Sequence, residues 1–534
     1  MAQRRTRAEF PSHLNKLRKL MPKLVGILQA GHEDHWYCFA WLEEVKTMMS
    51  VSAITQSSQE NLDRGMVLRA IVEGVNFEQA TNQLDEDSLL KWASEFRRQL
   101  ETKFPKDYVY RQNAYAPLTW KQEVDRGLEQ ETLEQLETNL DETTQVHFGV
   151  LCEENPANTS IAGLKAAATA IRSQLLDLSR SFVLKHNKNA AKEDCYLDLA
   201  EIRVMMRQQV KTHVFVDSKK NMSQTLPISL AVASGISKSG KSTRAIAGGL
   251  GGLEVTALSQ EDISEVTQNS VRLTKACYLE PGRYQIITGP DVTGVIAHEA
   301  FGHTQEGDTW MKGRSIAQSL QQEKKKVGNH MASIINHPNM FSMDAESYGS
   351  NGSYFFDHEG ELARFQIILD KGMLSPPMTD LTSANALHVP RTANGKRESW
   401  RRPLMARQTN TYFTSGDKSL EDLIKMVKKG FLARWAHGGM EDPKGGSLTA
   451  GAAYFEEILD GKMTGKLFLG PSGGHIELSD PVFSMLDKII AKTKTVNQQD
   501  IPDVKFGGCG KYHKEGVDAG CGGPFILWQD INCG

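Results

Sequence analysis

Apolar residues recur at helical spacing over residues 85–103, where Leu89, Leu90, Trp92, Phe96 and Leu100 interrupt acids and bases, and an amphipathic helix is predicted there. Residues 160–185 repeat that period in an Ala- and Leu-rich stretch, with Thr159 or Ser160 placed to cap it. Residues 67–72 are apolar and β-rich, and 213–217 and 226–234 read as two strands joined by the polar turn 218–222. The last part of the chain carries hairpin signals: Ile367-Ile368-Leu369 runs into Asp370-Lys371-Gly372, and 455–459 into Asp460-Gly461. Ser259 with Asp262 makes a capping-box pattern. Two helices are predicted at 419–429, closed by Gly430, and at 481–492, opened by Asp480. The polar stretch 122–144 reads as a linker or an exposed helix. Leu17, Leu20, Leu24 and Leu28 among lysines predict an amphipathic segment that docks or faces solvent, which Pro22 would break or kink.

These elements predict an α+β protein. Mixed α/β regions at 1–125 and 126–253 precede a largely antiparallel β domain, a sheet or barrel, at 254–534. A chain of 534 residues exceeds one ordinary domain. With 62 basic against 65 acidic residues, no charge excess points to nucleic acid. The start of the chain is basic, but His13, Lys16, Arg18, Lys19 and Lys23 interrupt 11–27, so no signal-peptide core forms. No run approaches the roughly eighteen apolar residues of a membrane span, and a cytoplasmic, membrane-free protein is expected. Seven cysteines without a C-x-x-C pair make neither a disulfide scaffold nor a zinc ribbon. Cys38, Cys152, Cys195 and Cys277 read as small apolar fillers.

The chemistry concentrates in His298-Glu299-Ala300-Phe301-Gly302-His303. Imidazoles are common zinc ligands, and a carboxylate beside them can take a proton from water. The two histidines lie five apart, about 140° around an ideal helix, so a straight helix would aim them at different targets. Gly302 suggests a left-handed turn that folds His303 back toward His298. Asp291 is the expected N-cap of a short helix over 292–301.

A wider stretch, from Gly294 through the His-Glu-His segment to Thr304-Gln305-Glu306-Gly307-Asp308, closely resembles the signature of the TldD/PmbA family of metallopeptidases. Asn394-Gly395-Lys396-Arg397-Glu398-Ser399 resembles the approach to the family's arginine-rich segment. Arg407-Gln408-Thr409-Asn410-Thr411-Tyr412 resembles its R-x-T-N-T-Y block, and Gly438-Gly439 with Asp442 its glycine-rich turn and acid. Gly507-Gly508-Cys509-Gly510-Lys511 resembles the element that supplies its third zinc ligand. The match covers about 255–530, with a fainter one at Asp63–Ala70.

The resemblance implies a zinc-dependent peptidase in which His298, His303 and Cys509 bind the metal and Glu299 is the general base. It also implies short or unfolded peptide substrates, and a homodimer or a pairing with a related subunit. His513 is a rival ligand, Glu306 and Asp308 are candidates to orient the imidazoles, and Cys521 and Cys533 are thiols that could compete for metal. The rival readings are a noncatalytic scaffold or regulatory subunit, and a nucleotide-binding protein. The latter rests on Gly235-Ile236-Ser237-Lys238-Ser239-Gly240-Lys241-Ser242, which spells a P-loop. The glycines at 248, 249, 251 and 252 make the helix that a P-loop requires improbable.

Overall fold

The computed structural model describes residues 5–139, 145–187, 199–341, 349–495, 504–511 and 516–534, and its fold is α+β. The N-terminal part is built on helix α1 (Asn15–Gln29), strands β1 (Trp36–Ser52), β2 (Gln56–Val72) and β3 (Val75–Thr81), and helix α2 (Glu86–Lys103). Strand β4 (Gln145–Gly149), helix α3 (Ile161–Asn187) and strands β5 (Leu199–Val216), β6 (Asn221–Ser237) and β7 (Ser242–Leu250) come next along the chain. All seven strands form one sheet in the order β3-β2-β1-β5-β6-β4, with β7 also on β6, so stretches on both sides of residue 125 share it. Only β4 pairs in parallel.

Strand β1 is apolar without alternation at its start because both of its faces are covered. Trp36, Cys38, Ala40 and Leu42 pack with α1 and α2 residues such as Leu24 and Phe96. Tyr37, Phe39 and Trp41 pack on the other face with Phe356 and Trp400 from the C-terminal part. The buried pairs Arg69–Glu359 (2.5 Å) and Arg391–Glu361 (3.3 Å) lie in this same layer. Helix α1 docks through Met21, Leu24, Val25 and Leu28, and it runs on through Pro22 without ending there. Burial of that face outweighs the hydrogen bond the proline removes.

The C-terminal part contains β8 (Cys277–Tyr278), β9 (Gly282–Thr288), helix α4 (Pro290–Ala297), β10 (Ile334–Asn336), β11 (Gln366–Asp370) and β12 (Met373–Leu374). It continues with β13 (Asn410–Phe413), β14 (Lys429–Asp442), β15 (Ser447–Leu459), β16 (Lys462–Leu469), β17 (Ile476–Pro481) and β18 (Ile489–Lys492). Strands β19 (Val504–Cys509), β20 (Val517–Gly522) and β21 (Ile526–Cys533) close it. Strands β15, β14, β9, β21 and β17 pair in a closed ring, antiparallel except for β9 with β14. A second sheet runs β12-β11-β10-β13-β20-β19, with β13 and β20 parallel. Helix α4 packs between the two, and at Gly294 a Cβ would collide with the backbone of Cys521 and Gly522.

Several expectations change. The helix expected at 419–429 stops at Met426, and Lys429 and Gly430 open β14. The helix expected at 481–492 ends at Asp487, and Ile489–Lys492 pairs as a strand instead. Each lost helical turn is recovered as a ladder on a neighbouring strand, a tertiary option that local spacing does not contain. Cys277 is exposed, unlike the buried Cys38 and Cys152, and Cys195 lies outside the described residues. The hairpins at Lys371-Gly372 and Asp460-Gly461 form as expected, with positive φ at both positions of each. Among the described residues, no helix is long and apolar enough to cross a membrane.

The P-loop letters fall on the β6–β7 hairpin. Ser237 N donates to Lys241 O and Gly240 N to Ser237 O, closing a tight turn, and Lys241 Nζ donates to Gly473 O at 3.0 Å. The chain then enters strand β7, where a P-loop needs a helix N-terminus. Gly235 is there because a Cβ would overlap the Val266 carbonyl.

Candidate metal centre

Helix α4 begins with Pro290 at its first turn and Gly289 as N-cap. Asp291, expected at the cap, sits inside that turn, and its Oδ2 accepts from Ala436 N at 2.6 Å. The helix then widens, and His298–Gly302 is a π-helical turn followed by a 3₁₀ turn at His303–Gln305. In a π turn the hydrogen bond spans five residues, so side chains five apart fall on the same side. This widened turn brings His303 to His298, with ring centroids 4.9 Å apart and planes at 85°. Gly302 keeps right-handed angles (φ −60°, ψ −66°), not the left-handed ones expected. The glycine is needed for space, because a Cβ at Gly302 would overlap the Gln408 side-chain amide.

Cys509 arrives from the end of β19, 206 residues along the chain from His303, and its Sγ lies 3.3 Å from His303 Nε2. Ligand atoms of His298, His303 and Cys509 all fall within 4.8 Å of one another, and all three residues are buried. Nitrogen and sulfur ligands of a tetrahedral zinc would stand about 3.5 Å apart, given bonds of roughly 2.0–2.1 and 2.3 Å. The observed separation and the two-His, one-Cys chemistry fit such an ion, with one coordination position left over.

Charged groups behind these three side chains fix their forms. His303 Nδ1 lies 3.1 Å from Glu306 Oε2. An ionised carboxylate only accepts, so Nδ1 carries the hydrogen and Nε2 turns to Cys509. Burial disfavours a charged His303, but Cys509 and Glu306 overcome it and hold its pKa well above the ordinary value. Burial likewise opposes the Cys509 thiolate, yet His303, Arg407 and His298 bring its pKa well below normal. Arg407 Nη2 donates to Cys509 O at 2.7 Å and to its Sγ at 3.1 Å. Glu306 Oε2 also meets Lys511 Nζ at 2.7 Å, and Lys511 reaches Asp308 at 2.5 Å. Glu306 therefore orients an imidazole as anticipated, whereas Asp308 acts one step further back by holding Lys511.

Glu299 is buried beside this set, and a Cβ at Gly439 would approach its Cγ to 2.8 Å. Its carboxyl lies beside that of Glu441, and Glu299, His303 and Glu441 again place ligand atoms within 4.8 Å of one another. Burial raises both carboxyls, and the partner's charge pushes Glu441 further, to about 9. Sequence reasoning took Asp442 as the acid of this turn, but Asp442 accepts from Lys444 N within its own loop. Gly439 and Glu441 share a face of β14, and Gly439 is packed on Glu299, a contact that only the tertiary structure supplies. Cys521 lines the same cleft, and burial raises its thiol to about 12. Cys533 is packed in the core. His513 lies outside the described residues.

The cleft at this centre has a volume of about 780 Å³ and opens between β7, the outer half of β14 and β19. The R-x-T-N-T-Y block forms its buried support. Thr409 N donates to Asn336 Oδ1, and Asn410 Nδ2 donates to His337 O and Ser353 Oγ, which anchors β13 beside β20.

The profile of the PmbA/TldA metallopeptidase C-terminal domain matches residues 281–533. A metalloprotease of Methanothermobacter thermautotrophicus is 30% identical over 294 residues, 54% of this chain and 58% of that one. The zinc metalloprotease TldD homolog of Saccharolobus solfataricus is 26% identical over 278 residues, 51% and 57% of the two chains. The chain thus spans about half the length of the curated relatives it matches. TldE from Thermococcus kodakarensis superposes with a TM-score of 0.62 at 11% identity, over 98% of this chain and all of that one, a likeness of fold. The signature segment and the matched profile agree: residues 281–533 of this chain are similar to the PmbA/TldA metallopeptidase C-terminal domain.

Proposed function

We propose that this chain is a zinc-dependent peptidase, with His298, His303 and Cys509 as ligands and Glu299 as general base. The observation that carries the proposal is the convergence of three deprotonatable donors within 4.8 Å of one another, beside a buried carboxylate. A zinc ion so held supplies Lewis-acid polarisation of a scissile carbonyl and a lowered water pKa. Glu299 takes the proton from the attacking water and passes it to the leaving amine. The Glu441 carboxyl lies beside it, and burial of Glu299 keeps bulk water away from the proton being moved. Arg407 steadies the Cys509 thiolate, and Glu306 holds His303 with Nε2 toward the centre.

Substrates are short or unfolded peptides lying extended in the cleft. Among the described residues, β14 pairs with β9 only as far as Ala433, so the stretch from Gly439 to Glu441 offers an open strand edge beside the centre. A related subunit or a second copy of the chain completes the assembly, as the resemblance of the signature segments implies. Elemental analysis of native protein tests the ligand set. Near-stoichiometric zinc should be lost in Cys509→Ser and kept in Glu299→Gln, with peptide hydrolysis lost in both. Wild type that binds no zinc on reconstitution would end the hydrolytic reading.

A further inference from the structure

A second chamber, of about 470 Å³, lies on the other side of the β19–β20 hairpin and shares Gly508, Cys509 and Gly510 with the cleft of the metal centre. Its wall contains Lys396, whose side chain is 6% exposed. Lys396 Nζ donates to the main-chain oxygen of Asp518 at 2.8 Å and stands 5.4 Å from the centre of the Tyr354 ring. The carboxylate of Asp518 is engaged elsewhere, by Lys211. Among the described residues no carboxylate pairs with the Lys396 ammonium, which has three donors to satisfy. Buried ammonium groups normally have an anionic partner, because leaving one unpaired costs several kcal/mol. Burial, followed by the nearby Arg407 charge, pushes its pKa down to about 7, and the negative charges of Asp518 and Cys509 offset this only in part.

Asn351 faces the same chamber at 3% exposure. Its Nδ2 donates to Gly507 O at 2.8 Å, which fixes the orientation of the amide. Its Oδ1 is buried without a hydrogen-bond partner among the described residues. The chamber therefore presents, next to Cys509, a cation held only by a main-chain oxygen and, at Asn351, an acceptor without a donor among the described residues. A carboxylate with a neighbouring amide N–H, as at the last residue of a peptide, supplies the complement of both.

We infer that this chamber is a carboxylate subsite, in which Lys396 receives a substrate carboxylate and Asn351 Oδ1 the adjoining peptide N–H. The inference rests on the peptidase reading and deepens it: an acidic group, a free chain end or an Asp or Glu side chain, anchors the peptide behind the metal centre. Lys396 is a specificity-determining residue in this scheme and takes no part in bond cleavage.

Calorimetry on zinc-loaded Glu299→Gln protein tests this with three probes: an acetylated alanine hexapeptide free acid, its carboxyl-terminal amide, and that amide with a terminal glutamate. The free acid should bind at least tenfold tighter than the plain amide, and Lys396→Met should erase the difference while Lys396→Arg retains most of it. If the glutamate amide matches the free acid, a side-chain carboxylate serves as well as the chain end, and if it matches the plain amide, only the chain end is anchored. Equal binding of all three probes to protein that retains Lys396 overturns the subsite, and needs no variant at that position to fold. Hydrolysis by zinc-loaded wild type is read separately. Cleavage of acid and amide alike, with equal binding, removes the subsite and leaves the peptidase. Acid-selective binding without any cleavage removes the peptidase and leaves the subsite. Binding of none of the probes overturns both.

Discussion

Glu306 accepts the Nδ1 hydrogen of His303 at 3.1 Å while His303 Nε2 faces Cys509 Sγ at 3.3 Å, so one carboxylate decides which imidazole nitrogen is left for a metal. Partners of this kind are worth about 10–100-fold in metal affinity. Glu306→Gln should weaken zinc binding by that factor, read by competition with a chromophoric chelator. Unchanged affinity would show that the ring is oriented by its packing alone.

Gly302 faces the Gln408 amide with no room for a methyl group. Gly302→Ala should force the turn and Gln408 apart, at a cost of about 1–3 kcal/mol in urea unfolding, with loss of bound zinc. Adding Gln408→Ala should return part of both. A single variant that keeps full zinc content would mean that the π turn tolerates the side chain.

His147 is locked as a neutral ring, with Nε2 on Ala8 O and Nδ1 on the Ser223 hydroxyl, and burial lowers its pKa to about 4. The folded chain then binds fewer protons at this site than the unfolded chain between about pH 6.5 and 4. Its contribution is intact above 6.5 and fades as pH falls. Buried Glu265 and Asp380, both raised to about 6, act with the opposite sign, so the total curve does not isolate the histidine. The difference between wild type and His147→Gln does. Urea unfolding should show the substitution costing on the order of 1–2 kcal/mol less at pH 5 than at pH 7.5.

Lys241 is tied to Gly473 O in the β6–β7 turn, and a strand follows it where a P-loop has a helix. Wild type should bind no fluorescent ATP analogue, and Lys241→Ala should keep the zinc content and hydrolysis rate of wild type. A tenfold fall in hydrolysis, or measurable nucleotide binding, would revive the P-loop reading.

Local signals in the chain identified much of the fold. Asp85 caps α2 through Ser88 N, Ser259 and Asp262 form the capping box, and both hairpin turns lie where Asp-Lys-Gly and Asp-Gly occur. Such features depend on residues within about four positions of one another. The same short range explains the errors at 427–430 and 488–492, where a strand partner from elsewhere claimed the backbone.

The candidate centre divides along the same line. His298, Glu299 and His303 were legible as a group because six consecutive residues hold them, and Cys509 through its resemblance to a known element. Glu441 was not, since nothing within its own segment indicates that β14 will lie beside Glu299.

By itself the sequence determined the donor types, the Ser259–Asp262 capping box and the hairpin turns, all consequences of side-chain chemistry and local backbone preference. Only the tertiary structure decided that a π turn carries His303 to His298, that Gln408 fills the space beside Gly302, and that Glu306 selects the ring nitrogen. The turn and the Glu306 contact are local, but they are held by Gln408, Arg407 and Lys511 from segments a hundred or more residues away, where a few tenths of an ångström separate a contact from a collision.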